Sequence, residues 1–326
     1  MYDIITIGSA TRDVFLESEK IKIKKSTTSP TGLDECVPLG AKIELKEITF
    51  DTGGGATNGA VTFANQKLKT GAICRIASDV AGLEVKNTLK AHKIATKFLQ
   101  YDAKLGTGYS LILLTGTGER SILVYRGASR KISAKEIPWK NVKTKWFYVS
   151  SLAGDLALIK KIWQFAKKNN IKIGWNPGGR ELDWGLARLT PFIRQTEFFT
   201  VNTEEAAKLT REKTTNIRGQ AKKLKKITKC LSLTDGPKGA YAWQDGKGVF
   251  AAPLKVKKIN ATGAGDAFGS GFVAGLAIKD NIRYATQLAT LNSNMVITKM
   301  GAKNGLLKKR PTQKELNRAK LKPINF

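Results

Sequence analysis

Trp146-Phe147-Tyr148-Val149, Ile171-Lys172-Ile173-Gly174-Trp175, Phe198-Phe199-Thr200-Val201 and Cys230-Leu231-Ser232-Leu233 punctuate the second half of the chain. Each is an apolar run of strand length. Segments 156–169, 204–210 and 217–227 read as helices between or after them. Strands alternating with helices imply a mostly parallel sheet covered on both faces. Outward toward the N-terminus, Ile4-Ile5-Thr6-Ile7 reads as a strand ending at Gly8, and 71–76 as another. Segments 56–68 and 82–92 read as helices, the first after the break Thr52-Gly53-Gly54-Gly55. Shorter stretches alternate apolar and polar: Val14/Leu16, Ile21/Ile23, Ile43/Leu45 before Ile48. Period-two alternation buries one face only. Segments 111–114 and 122–125 flank Thr115-Gly116-Thr117-Gly118-Glu119-Arg120 as a β-hairpin. A large α/β core with a small, discontinuous β appendage, about 12–50 and about 105–126, is therefore expected. The C-terminal 307–326 reads as a short helix or a loose segment.

The 326 residues are 41% hydrophobic and 25% charged, which excludes a wholly disordered chain. No apolar run approaches the ~18 residues of a membrane span. The N-terminus lacks a basic region and a long apolar stretch, so no secretory signal is expected. Cys36, Cys74 and Cys230 have no CxxC spacing, which predicts reduced thiols in a cytoplasm. A single histidine, His92, excludes clustered His/Cys zinc chemistry. Lys+Arg 56 against Asp+Glu 26 gives +30, a balance that attracts polyanions. The lysines are scattered, apart from Lys222-Lys223-Leu224-Lys225-Lys226 and Lys308-Lys309-Arg310. No zinc-finger or RNP-type motif accompanies them, so specific nucleic-acid recognition is not expected.

The strongest local signal for chemistry is Asn260-Ala261-Thr262-Gly263-Ala264-Gly265-Asp266-Ala267-Phe268-Gly269-Ser270-Gly271-Phe272. A glycine-rich turn opening a helix offers free N–H groups and a dipole to an anion. A carboxylate there, Asp266, would repel phosphate but can take a proton from an attacking hydroxyl. The alternative is a capping Asp on a glycine-packed helix.

Thr262-Gly263-Ala264-Gly265-Asp266-Ala267-Phe268 resembles the C-terminal signature of the ribokinase-like (PfkB) family of sugar and nucleoside kinases. Gly8-Ser9-Ala10-Thr11-Arg12-Asp13 resembles the family's first-strand motif, whose Asp binds substrate hydroxyls. Gly53-Gly54-Gly55-Ala56-Thr57-Asn58 resembles the N-terminal signature with its substrate-binding Asn. Asn202-Thr203-Glu204-Glu205-Ala206 resembles the Asn-x-x-Glu motif near phosphates and magnesium, and Thr234-Asp235-Gly236-Pro237-Lys238-Gly239 the turn bordering the nucleotide. The five segments occur in order over residues 8–272.

The resemblance implies one ribokinase-like kinase domain over 1–326: a three-layer α/β core with a mostly parallel sheet, the β appendage serving as a lid. It implies a cytoplasmic ATP-dependent sugar kinase, with Asp266 as base and Gly263, Ala264 and Gly265 supplying an anion hole. Asp13, Gly53, Gly54 and Asn58 would bind sugar. Asn202, Thr234, Gly236, Gly239 and Asn292 would border ATP, and Glu205 would hold Mg²⁺ through water. Read alone, Asp13 is a turn residue, Asn58, Asn202 and Glu205 are helix-start residues, and Asn292 is a buried helix polar residue. Arg126 can neutralise phosphate or be a surface arginine of the lid, and Asn176-Pro177-Gly178 can line the site or turn the chain. A homodimer through the lid is a further expectation.

Two departures matter. Ribose kinases of the family tend to carry Lys where this chain has Gly55, and the second signature usually begins with Asp where this chain has Asn260. The first lowers ribose as the specific substrate, and the second puts a monovalent-cation site in doubt. A nucleoside kinase is the alternative within the family, with Phe15, Leu33 and Leu111 as a wall for the base. A non-catalytic polyanion-binding protein on the same scaffold is the alternative outside it.

Overall fold

The computed structural model describes residues 1–29, 32–114 and 120–326. The four apolar runs that open the second half become adjacent parallel strands, Thr144–Val149, Lys172–Trp175, Phe198–Asn202 and Cys230–Thr234. Tyr2–Ile7 pairs in parallel with Thr144–Val149 on one side and Thr70–Ile73 on the other. Ala240–Gln244, Lys247–Ala251 and Leu321–Ile324 extend the far edge antiparallel, completing a nine-stranded sheet.

Side-chain period two splits the strands between two cores. Ile5, Ile7, Phe147, Val149, Trp175, Phe199 and Val201 join a cluster with Ile159, Ile162 and Trp163 of helix Leu156–Lys168. Ile4, Trp146, Tyr148 and Phe198 face the other way, against Phe63, Phe268, Phe272 and Leu288. Those four come from helices Gly55–Asn65, Ala264–Lys279 and Ile282–Val296. The sheet is thus buried on both faces, which is why its parallel strands read as unbroken apolar runs. Helix starts follow local chemistry: the Asp155 and Asp79 carboxylates accept N–H bonds from Leu158 and Gly82.

A second, four-stranded sheet stands apart from the core: Arg120–Tyr125, Gly108–Leu114, Thr11–Glu17 and Glu47–Gly53, in that order. Its segments come from the two regions expected for the appendage. The chain between departs from expectation in two places. Lys22–Lys25 and Leu33–Cys36 form their own exposed hairpin, and 43–46 are not strand. In 43–46 the alternation reflects Ile43 and Leu45 spaced between charged residues, with no strand pairing them among the described residues. The expected glycine-containing loop, Thr115 to Glu119, lies outside the described residues. The C-terminus forms helix Gln313–Leu316, as expected, and then the edge strand Leu321–Ile324. Phe326 beyond it packs on Trp243, so that strand is held by contacts far away in sequence. No helix among the described residues is long and apolar enough to cross a membrane.

Candidate active site

The C-terminal ends of the parallel strands, the inner face of the small sheet and the start of helix Ala264–Lys279 converge on one pocket. Open α/β sheets place ligands at such an edge. Pairing fixes which side chains of the small sheet face it. Asp13 lies opposite Ser110, and Ser110 opposite Val124, so these three share one face. Thr11, Asp13, Ser110, Val124 and Arg126 all line the pocket. Ser9, Gly54 and Asn58 come from the core side, and Thr262, Gly263 and Asp266 close the floor.

Glycines bring these groups together. Gly54 has φ +94°, and a Cβ on it would lie 2.4 Å from the Ser9 carbonyl oxygen. A Cβ on Gly53 would lie 2.0 Å from the Asp13 carboxylate. The first signature therefore needs glycine so that two backbone segments and one carboxylate can meet.

Asn58 Nδ2 donates to Asp266 Oδ2 at 2.8 Å, across 208 residues of sequence. Asp266 sits in the first turn of its helix, whose N-cap, Gly263, is left-handed and makes no side-chain cap bond. Asp266 is therefore no capping residue. Surrounding protein raises its pKa above the ordinary carboxylate value, the Asn58 bond and Lys303 pull it down, and Asp13 pushes it up. Asp13, which accepts a bond from Thr11 Oγ1 at 2.8 Å, is also raised by burial, with Lys303 opposing.

Sequence reasoning missed Lys303. Its ammonium is buried beneath the pocket, where it donates to Asn58 Oδ1 at 2.7 Å and to the Thr52 carbonyl. Glu181, also unpredicted, is fully buried and accepts from the N–H groups of Leu152, Gly154 and Gly178. It thereby fixes the turn that brings Ser151 and Ala153 to the pocket. Neither residue stands in a recognisable local pattern, and only the fold gives them partners.

The remaining predicted residues divide. Asn202 and Thr234 are neighbours across paired strand ends, next to the turn Gly236–Lys238 and Gly239. Asn202 and Glu205 cap each other: Asn202 Oδ1 accepts from the Glu205 N–H and Glu205 Oε2 from the Asn202 N–H, both at 2.8 Å. Burial raises the Glu205 pKa, and Glu204 and Asp266 add to that rise. Asn176 donates to the Thr200 carbonyl and turns the chain. Asn292 is not brought to the pocket. It is buried, donates to Thr62 and to the Ala267 carbonyl, and accepts from the Leu307 N–H, so it ties its own helix to two others and to a loop. Asn260 is buried too, its Oδ1 accepting from the Thr262 N–H at 2.8 Å. Phe15 packs with Ile112 and Leu114 inside the small sheet, Leu111 points to its outer face, and Leu33 lies in the separate hairpin. None of these three lines the pocket.

A family model described as pfkB family carbohydrate kinase matches residues 1–309. A ribokinase of Haemophilus influenzae is 25% identical over 269 residues, covering 81% of this chain and 85% of its own. The structure of an Arabidopsis thaliana ribokinase complexed with ribose and ATP superposes with TM-score 0.78 at 18% identity, covering 98% of this chain and 99% of that one. An E.coli protein solved in complex with ATP and Mg²⁺ gives TM-score 0.77 at 19% identity, over 94% and 96% of the two chains.

Proposed function

The chain belongs to the pfkB family of carbohydrate kinases, and from that premise we propose how its own residues perform the transfer. The activity is ATP-dependent phosphorylation of a sugar hydroxyl. The observation that carries the residue assignment is Asp266, uncapped at a helix start, facing a pocket that also holds Asp13 and Asn58.

Sugar hydroxyls would bond Asp13 and the pocket face of Asn58, leaving the acceptor hydroxyl beside Asp266. Asp266 takes its proton as the oxygen attacks the γ-phosphorus, the bond from that phosphorus to the β,γ-bridging oxygen breaks, and ADP leaves. The N–H groups of Gly263, Ala264 and Gly265, aided by the helix dipole, stabilise charge developing on the phosphoryl oxygens. ATP would lie over the strand ends at Asn202 and Thr234, bordered by Gly236 and Gly239. Arg126 at the rim adds positive charge. The four-stranded sheet acts as a lid that excludes water, within one kinase domain spanning 1–326.

Glu205 suits Mg²⁺. Its Oε2 is engaged by the Asn202 N–H, its other oxygen lies outside that bond, and two neighbouring carboxylates make added positive charge favourable. Among the described residues no group of three or more His, Cys, Asp or Glu side chains could cage a metal. That donor set fits an ion held largely by water and phosphate. When bound, magnesium supplies charge to the phosphate oxygens. K⁺ activation is expected to be weak, because Asn260 brings no charge and its oxygen already serves Thr262. The three free cysteines suit a reducing cytoplasm.

A sugar is favoured over a nucleoside because Phe15, Leu33 and Leu111, the suggested wall for a base, stay out of the pocket. ADP release with ATP and a panel of pentoses, hexoses, sugar acids and nucleosides tests this. Sugar-dependent turnover is expected, and turnover with nucleosides alone would reverse the choice.

A further inference from the structure

Lys303 is the one buried lysine or arginine among the described residues. Its loop is wedged into the site by two close approaches. A Cβ on Gly301, at φ +93°, would lie 2.0 Å from the Asp51 carboxylate, and one on Gly263 would lie 2.7 Å from Ala302 Cβ. The turn before the Asp266 helix therefore touches the loop that delivers the lysine. The ammonium then binds Asn58 Oδ1 and the Thr52 carbonyl of the lid strand.

An ammonium is donor-only, and an amide has one donor face and one acceptor face. With Oδ1 facing Lys303, Nδ2 must face Asp266, as it does. The reverse orientation would set NH₂ against NH₃⁺ and a carbonyl oxygen against a carboxylate. Burial lowers the Lys303 pKa, and the carboxylates of Asp51, Asp13 and Asp266 around it oppose that and favour the ammonium.

We propose that Lys303 is a positioning residue for phosphoryl transfer: acting through Asn58, it fixes the orientation of Asp266 without touching either substrate. Lys303 does not line the pocket, whereas Asn58 and Asp266 do. The proposal rests on the reading of Asp266 as base. The groups facing Asp266 are Asn58, Lys303, Asp13 of the lid strand, Tyr148 of the central sheet and Glu205 across the cleft. Lys303 alone of these is cationic. Removing it raises the pH at which Asp266 loses its proton, so the acid limb of activity moves upward.

The test uses full-length Lys303→Met and Lys303→Gln, with ATP and the acceptor of highest turnover from the panel above. Calorimetric ATP binding and thermal melting verify the fold. The expected result is a kcat loss on the order of a hundredfold, with KM for ATP near wild type. The acid limb of kcat/KM should move up by about one pH unit. In an Asn58→Ala background, Lys303→Met should cost little more, since the two act in series. An unmoved acid limb, or losses that simply multiply, would overturn the proposal. So would failure of both variants to fold, because the ammonium would then serve the fold alone. If Asp266→Asn retains full turnover, the base assignment itself is wrong, an outcome read separately from these.

Discussion

Asp13 and Asn58 reach the pocket from the small sheet and from the core; Asp13 accepts from Thr11, and Asn58 is held by both Asp266 and Lys303. On the proposed function, each would offer a sugar its remaining polar capacity, and losing either would leave hydroxyls unpaired. Asp13→Ala should raise KM for the sugar by the equivalent of about 1–3 kcal/mol and leave KM for ATP nearly unchanged. Steady-state kinetics with each substrate varied in turn measures the split, and equal rises would place Asp13 elsewhere in the cleft. Asp266 stood out in a glycine-rich turn with a chemical rationale of its own, whereas Asp13 and Asn58 were singled out by the family resemblance; all three line the pocket. Lys303 was not legible in the sequence, because its partner Asn58 lies 245 residues away and nothing around it marks a buried charge. Asn292 was named through the family resemblance, with a buried helix polar residue as the alternative; the structure gives it burial and three internal hydrogen bonds.

Among elements, the glycine turn before helix Gly55–Asn65 is the most constrained. Gly54→Ala would combine a left-handed backbone with a 2.4 Å approach to the Ser9 carbonyl oxygen. Such strain costs about 1–3 kcal/mol, and thermal melting should show the lower Tm. An unchanged Tm would mean that the turn relaxes freely. The turn 261–265 carries a second prediction. Asn260 already braces it through Thr262, so titrating KCl at constant ionic strength should change kcat little. Saturable activation at low millimolar K⁺ would show that the neutral amide still serves a cation. The parallel strands were readable because burial on both faces leaves unbroken apolar runs. The alternating early segments were less so: 11–17 and 47–53 found partners, whereas 43–46 did not. Leu321–Ile324 became a strand only because Lys247–Ala251 offered it an edge.

At the scale of the whole molecule, the small sheet has an inner face on the pocket and an outer face that is partly exposed. Phe50, Leu111, Leu123 and Tyr125 are all exposed there. Two copies meeting through this face would bury it, a reading that exposed apolar patches support. Light scattering should then show a dimer that Leu123→Glu shifts toward monomer, and a monomeric wild type would exclude it. The net charge of +30 should draw ATP and other polyanions toward the protein in a salt-dependent way. The proposed function turns on one proton transfer, from a sugar hydroxyl to Asp266. The most direct measurement is kcat for Asp266→Asn alongside its ATP affinity. A fall of about 10²–10⁴-fold with ATP binding preserved is the expected result, and near-wild-type turnover would contradict the assignment of Asp266 as the base.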